Sequence, residues 1–193
     1  AVFAPAYEPL ATADGVSSFD DASCPQVEDD GTTLTIEGDC TDESGTQWIG
    51  SARVVRGADG TYELSLEGYG SGDANGSPAR VTGTFRIAPT DDGAHTFIAD
   101  YVQEGPLTLE VDYEGRVEGD YDSATLWSGS GTVARSGSTD VSGTAQATTT
   151  DQFRDATICP NQSLSGSTLL LIDERTLLIE YDGATNCDEA LTA

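Results

Sequence analysis

Residues 58–67 read ADGTYELSLE and join a turn signal to a run in which apolar and polar side chains alternate. Tyr62, Leu64 and Leu66 occupy every second position, with acidic or hydroxyl side chains between them. Successive side chains of a strand point to opposite faces, so this period of two predicts a strand with one buried face. Asp-Gly ahead of such a run is typical of a β-hairpin turn.

The same alternation recurs along most of the chain from Cys24 onward. No segment shows the sustained 3.6-residue apolar period of an amphipathic helix. We therefore predict an all-β fold, an antiparallel meander of about 11–12 strands that curls into a barrel or a two-sheet sandwich. The predicted strands, besides the one at residues 62–67, are residues 33–37, 48–54, 81–87, 95–102, 107–113, 117–121, 125–134, 140–149, 168–172 and 176–181.

The first 23 residues have a different character from the rest of the chain. Pro5 and Pro9 lie close together there, and proline lacks the N–H that a central strand needs. We predict an extended N-terminal arm at residues 1–23, followed by a single all-β domain at residues 24–193. The opening residues have the small and apolar character of a mature end left after removal of a signal peptide, which predicts export.

The charge balance narrows the possible partners. The chain has 34 acidic residues against eight basic ones and a formal net charge of -26, and all eight basic residues are Arg. This charge repels phosphate backbones, so nucleic acid is not an expected partner. Anionic membrane surfaces are disfavoured for the same reason, and no apolar run is long enough to span a bilayer. The partners that remain possible are cations and basic proteins, and a surface that contacts only water and salt is the other possibility.

Four cysteines predict a disulfide framework. They permit three pairings, of which Cys24–Cys40 with Cys159–Cys187 is favoured because each would close one hairpin-sized segment. None of the spacings resembles a zinc site, which needs close pairs of Cys or His. Disulfides persist in oxidising compartments, so we expect a secreted or cell-surface protein, extracellular or periplasmic.

An acidic run around Gly115-Arg116 is the sharpest local feature. A three-residue loop at residues 114–116 would put apolar side chains on one face of a hairpin and acids on the other, whereas a two-residue loop would mix them. Opposed carboxylates about 5 Å apart repel each other, and a bound Ca²⁺ or nearby Arg and salt would relieve this. A solvated acidic face and a paired-carboxylate glycosidase site are the other interpretations. The candidate metal ligands are Glu110, Asp112, Glu118, Asp120 and Asp122.

Other motifs for chemistry are weak, so no catalytic residue is assigned. The single histidine, His95, lies in an alternating strand, and no Gly-x-Ser-x-Gly motif occurs. No cofactor is predicted apart from the candidate Ca²⁺. Trp48 and Trp127 would suit a sugar-binding platform, although tryptophan at a strand position is more often part of the core.

Two segments carry a resemblance to a known group of proteins. Cys24-Pro25 is followed by an alternating strand, then by Gly38-Asp39-Cys40-Thr41-Asp42 and, at residues 45–50, by Gly-Thr-Gln-Trp-Ile-Gly. This pattern resembles secreted, lipoprotein-like β-rich proteins of myxobacteria and related bacteria. Residues 180–183 with Cys187-Asp188 are similar to the C-terminal hairpins of those proteins. The resemblance implies export and β structure, and implies no reaction.

These observations favour an exported, non-enzymatic surface or extracellular structural protein that acts through contact or assembly, for example as a filament or coat subunit. The expected partner is another copy or another surface protein, reached through the N-terminal arm by strand addition. The alternative is a β module that binds carbohydrate or a cation such as Ca²⁺. A carboxylate-dependent hydrolase is the third hypothesis.

Overall fold

A computed structural model describes residues 4–15, 19, 23–73, 78–119, 124–137, 143–155, 158 and 163–181. This part of the chain contains one helix and twelve antiparallel strands. The elements are α1 Ala4–Ala13, β1 Gln26–Asp29, β2 Thr33–Glu37, β3 Cys40–Thr41, β4 Thr46–Arg56, β5 Tyr62–Asp73, β6 Arg80–Pro89, β7 His95–Glu104, β8 Leu107–Gly119, β9 Ala124–Gly137, β10 Gly143–Asp155, β11 Ser165–Ile172 and β12 Arg175–Glu180.

All twelve strands belong to one sheet in the order of the chain, except that the short β3 lies beside β4. β1 and β12 are the two ends of this order and do not pair with each other, so the sheet is not closed. The predicted all-β antiparallel meander and its strand number are therefore confirmed.

The alternating apolar residues form the core on one face of the sheet, which we call the inner face. Leu64 and Leu66 are buried there, whereas Glu63 and its polar neighbours on β5 point to the exposed outer face. Leu64 pairs with Val54 on β4 and with Phe85 on β6. Because paired residues share a face, the buried row continues from strand to strand.

Aromatic rings fill the inner face in the middle of the sheet. Phe97 and Tyr113 are nearly parallel, with ring centroids 6.3 Å apart, and Trp127 packs against both at 6.1 and 6.0 Å. Opposed glycines, Gly115 on β8 and Gly129 on β9, lie beneath these rings. A Cβ atom on Gly115 would come within 2.9 Å of Phe97 Cε1, and one on Gly129 within 2.8 Å of Tyr113 Cε1. The absent side chains therefore make room for the rings.

A chain of hydroxyls on the inner face connects β8 with the C-terminal strands. Tyr113 Oη lies 2.9 Å from both Gly129 O and Thr149 Oγ1. The Tyr113 hydroxyl is shared between these two acceptors, the Gly129 carbonyl and the Thr149 hydroxyl. Hydroxyl–hydroxyl hydrogen bonds continue from Thr149 to Thr168 at 3.1 Å and from Thr168 to Tyr181 at 3.0 Å. This chain fixes β11 and the end of β12 against β10.

The predicted extended arm is wrong for residues 4–13, which form α1. Pro5 lies in the first turn, where helices tolerate proline, and Pro9 is accommodated inside the helix despite its missing N–H. Ala6 and Pro9 are buried, and Leu10 packs against the core. Burial of this face against β4 and β5 provides stability that the sequence of α1 alone would not. No helix among the described residues has the length and apolar character needed to cross a membrane.

The cysteine prediction is confirmed for one pair. Cys24 and Cys40 form a disulfide that joins the residues before β1 to β3. Cys159 and Cys187 lie outside the described residues.

Candidate functional site

The predicted acidic hairpin does not form. Gly115 and Arg116 lie inside the continuous strand β8, where they pair with Gly129 and Ser128 of β9. The sequence suggested a turn because glycine is common in turns, but Gly115 is needed under the Phe97 ring. The loop expected at residues 114–116 is therefore wrong.

Three of the five candidate metal ligands are described, and they lie along one strand. Glu110, Asp112 and Glu118 share the outer face of β8 and are all exposed. Strand residues rise about 3.3 Å each, so Asp112 and Glu118 are about 20 Å apart along the strand. The described residues contain no group of three or more Asp, Glu, His or Cys able to hold a metal ion. Asp120 and Asp122 lie outside the described residues.

Two acidic side chains of this surface do face each other. Asp100 on β7 pairs directly with Asp112 on β8, both on the exposed outer face. Directly opposed like charges destabilise a sheet, and here water and salt must screen them. Glu114 has a different environment, since it pairs with Ile98 on β7 and Ser130 on β9.

Arg116 neutralises acids at the other end of β8. Its guanidinium donates to both carboxylate oxygens of Asp92, at 3.2 and 2.8 Å, and to Glu118 at 3.1 and 3.0 Å. Hydrogen bonds from Arg116 and then from Thr90 hold the pKa of Asp92 well below its usual range. This cluster is therefore a surface ion pair that ties β8 to the turn between β6 and β7.

Asp42 has a structural role that the sequence did not reveal. Its carboxylate accepts bonds from the Ser44 hydroxyl at 2.6 Å, the Thr46 N–H at 2.9 Å and the Trp48 indole N–H at 3.1 Å. Hydrogen bonds from Ser44 and then from Trp48 lower its pKa to about 2. An aspartate four residues before a hydroxyl residue is too common a pattern to have identified this contact beforehand.

The two tryptophans do not form an exposed platform. Trp48 is buried, held by Asp42, and packed edge-on against Phe19 with ring centroids 5.1 Å apart. Trp127 is half-buried against Phe97 and Tyr113 on the inner face. His95 is the first residue of β7, as the sequence predicted.

The two edges of the sheet differ in chemistry. β1 is only four residues long and carries Glu28 and Asp29. Both carboxylate oxygens of Asp29 accept bonds from Arg56 at 2.8 Å, and Arg56 also donates to the Ala13 carbonyl of α1 at 2.7 Å. A short and charged edge strand resists pairing with another chain.

The opposite edge is apolar. β11 and β12 form a hairpin, which we call the leucine hairpin, and no described strand pairs with the outer edge of β12. Leu178 of β12 is 45% exposed, and Leu177 beside it is 42% exposed. Leu169 and Leu171 on the outer face of β11 are 42% and 44% exposed. An apolar strand with a free edge is a site for strand pairing.

Charge on the outer face also changes across the sheet. β7 and β8 together contain six acidic residues, whereas β9 and β11 contain none. Between these acids and the leucines, the outer face carries the uncharged Ser130 and Thr132 on β9 and Gln146 and Thr148 on β10, together with the exposed Asp151, which contacts Ser128. The leucine hairpin is therefore separated from the acids of β7 and β8 by the strands β9 and β10.

No match to this chain was found among protein-family models, curated proteins or solved structures. The resemblance to secreted myxobacterial proteins therefore stays a prediction.

Proposed function

We propose that this chain is an exported, non-enzymatic surface or extracellular protein that acts through contact and assembly. The observation that carries this proposal is the leucine hairpin at the free edge of an open sheet. Monomeric soluble proteins rarely leave a free edge and a cluster of large apolar side chains at the same place.

The distribution of charge supports the same proposal. A formal net charge of -26 keeps copies apart at low salt, but the leucine hairpin lies away from the acidic strands β7 and β8. Contact at this edge therefore keeps the acidic strands β7 and β8 of the two copies apart. The contact surface is the C-terminal edge, whereas the N-terminal segment that the sequence suggested is used, at residues 4–13, to cover the protein's own core.

Export is supported by the disulfide between Cys24 and Cys40, because such bonds persist in oxidising compartments. The alternative hypothesis of a carbohydrate- or Ca²⁺-binding module, and that of a carboxylate-dependent hydrolase, find no specific support in the described residues. The three candidate acids that the structure describes are spread along one strand, and Trp48 is buried.

Self-association measured by sedimentation velocity tests the proposal. We expect the wild-type protein to associate between about 1 and 100 µM, and more strongly at about 1 M NaCl than at 0.1 M, because salt screens the repulsion between copies. Leu171→Glu should weaken association about 10-fold or more, because it places a charge in the apolar contact.

Ile98→Glu is the matched control for this variant. Ile98 is 46% exposed on the outer face of β7, close to the 44% of Leu171, but it lies far from the free edge. It should leave association within about threefold of wild type. A wild-type protein that stays monomeric at every concentration and salt level would remove the proposal.

A further inference from the structure

We infer that the leucine hairpin pairs with its counterpart on a second copy of this chain, giving a closed two-fold dimer and not an open filament. This inference rests on the proposed function and adds the partner, the symmetry and the register. The partner strand is β12 of the second copy, antiparallel to the first, with Leu178 on the two-fold axis.

The difference between the two edges of the sheet explains why the copies form a closed dimer and not a filament. A filament needs two different complementary edges, so that β12 of one copy would meet β1 of the next. β1 offers four residues, two of them acidic, and Asp29 is held by Arg56. Among the strands that the structure describes, only β12 combines a free edge with leucines, so a second copy must offer the same edge.

The hydrogen-bonding pattern of β12 limits the register. Tyr181 N–H donates to Gly166 O at 3.0 Å, so the backbone groups of odd-numbered residues face β11. The N–H and C=O groups of Thr176, Leu178 and Glu180 therefore point to the free edge. Pairing Leu178 with Leu178 of the second copy also pairs Thr176 with Glu180. In each of these pairs, the N–H of one residue donates to the C=O of the other and the reverse. The three pairs across the dimer therefore give roughly six hydrogen bonds.

The side chains that become opposed favour this register over its neighbours. Moving the two-fold axis to Leu177 would place Glu180 opposite Glu174 of the second copy. Moving it to Ile179 would place Glu180 opposite Leu178. Within Arg175–Glu180, the register centred on Leu178 opposes no like charges, places Leu178 against Leu178 of the second copy and brings Leu177 beside Ile179 on the inner face.

Both faces of the hairpin lose exposed apolar surface in this arrangement. On the outer face, Leu178 contacts Leu178 of the second copy. Leu169 and Leu171 extend this apolar patch along β11. Leu177, which is 42% exposed alone, packs on the inner face. The hydroxyl chain through Thr168 holds β11 in place, so the edge is formed before the partner binds.

A charge-swap experiment tests the two-fold axis. Leu178→Glu and Leu178→Arg should each weaken self-association at least about 10-fold, since two like charges would lie about 5 Å apart. An equimolar mixture of the two variants should dimerise again, because Glu then faces Arg across the axis. The readout is the sedimentation coefficient at about 0.1 M NaCl, where the pair is not fully screened.

Controls separate this inference from the proposed function. Ile98→Glu and Ile98→Arg, alone or mixed, should sediment as wild type, and circular dichroism of all variants should show an unchanged sheet. Wild-type species that grow beyond a dimer, or a Leu178 mixture that stays dissociated, would overturn the two-fold dimer and leave assembly in place. A wild-type protein that never associates would remove both.

Discussion

Gly115→Ala is expected to lower the free energy of unfolding by about 2–3 kcal/mol, a fall in Tm of about 5–10 °C. The new Cβ atom would lie 2.2 Å from Ser128 O, 2.7 Å from Gly129 Cα and 2.9 Å from Phe97 Cε1. Two of these neighbours are backbone atoms, so β8 and β9 would have to separate and weaken their hydrogen bonds. Thermal or urea unfolding followed by circular dichroism measures the loss.

Gly143→Ala is the matched control, because Gly143 lies in β10 of the same sheet and a Cβ atom there would have no neighbour within 4 Å. It should leave Tm within about 2 °C of wild type. If residues 114–116 were instead a solvent-exposed turn, Gly115→Ala would behave like this control. Equal Tm values for the two variants would contradict the position of Gly115 under the aromatic rings.

Loss of the Cys24–Cys40 disulfide is expected to cost about 3 kcal/mol, because it closes a loop with a sequence separation of 16 and restricts the unfolded chain. Cys24→Ala combined with Cys40→Ala should lower Tm by about 6–12 °C. The bond joins the residues before β1 to β3, so the β1–β2 hairpin at the charged edge should lose protection first.

Either single variant should destabilise the protein about as much as the double variant, because each breaks the same link. Chemical denaturation of the three variants measures this directly. A double variant that unfolds within about 1 kcal/mol of wild type would mean that the bond contributes little to stability.

Most of the fold could be predicted because alternation of apolar and polar residues is a local signal. Leu64 and Leu66 are buried as the period of two requires, and the strands predicted at residues 168–172 and 176–181 correspond to β11 and β12. Residues 4–13 could not be predicted as a helix, because their stability comes from packing on β4 and β5. Gly115 was misinterpreted for a related reason: the ring that covers it, Phe97, lies on another strand.

The candidate site was harder to predict than the fold. The sequence drew attention to Glu110, Asp112 and Glu118, whose alternation is visible, but alternation places them along a strand and not around an ion. The leucines of β11 and β12 look like ordinary core residues in the sequence. Their exposure depends on β12 being the last strand of an open sheet, which is a property of the whole topology.

Amide hydrogen exchange at the free edge is the measurement that tests self-assembly through β12 most directly. Peptides covering Arg175–Glu180 and Gln26–Asp29 would be followed by mass spectrometry over a range of protein concentrations and salt. We expect protection of Arg175–Glu180 to rise with both, because Thr176, Leu178 and Glu180 gain backbone partners, while Gln26–Asp29 stays unchanged. Exchange of Arg175–Glu180 that does not depend on concentration, or protection that rises only at Gln26–Asp29, would contradict assembly through the leucine hairpin.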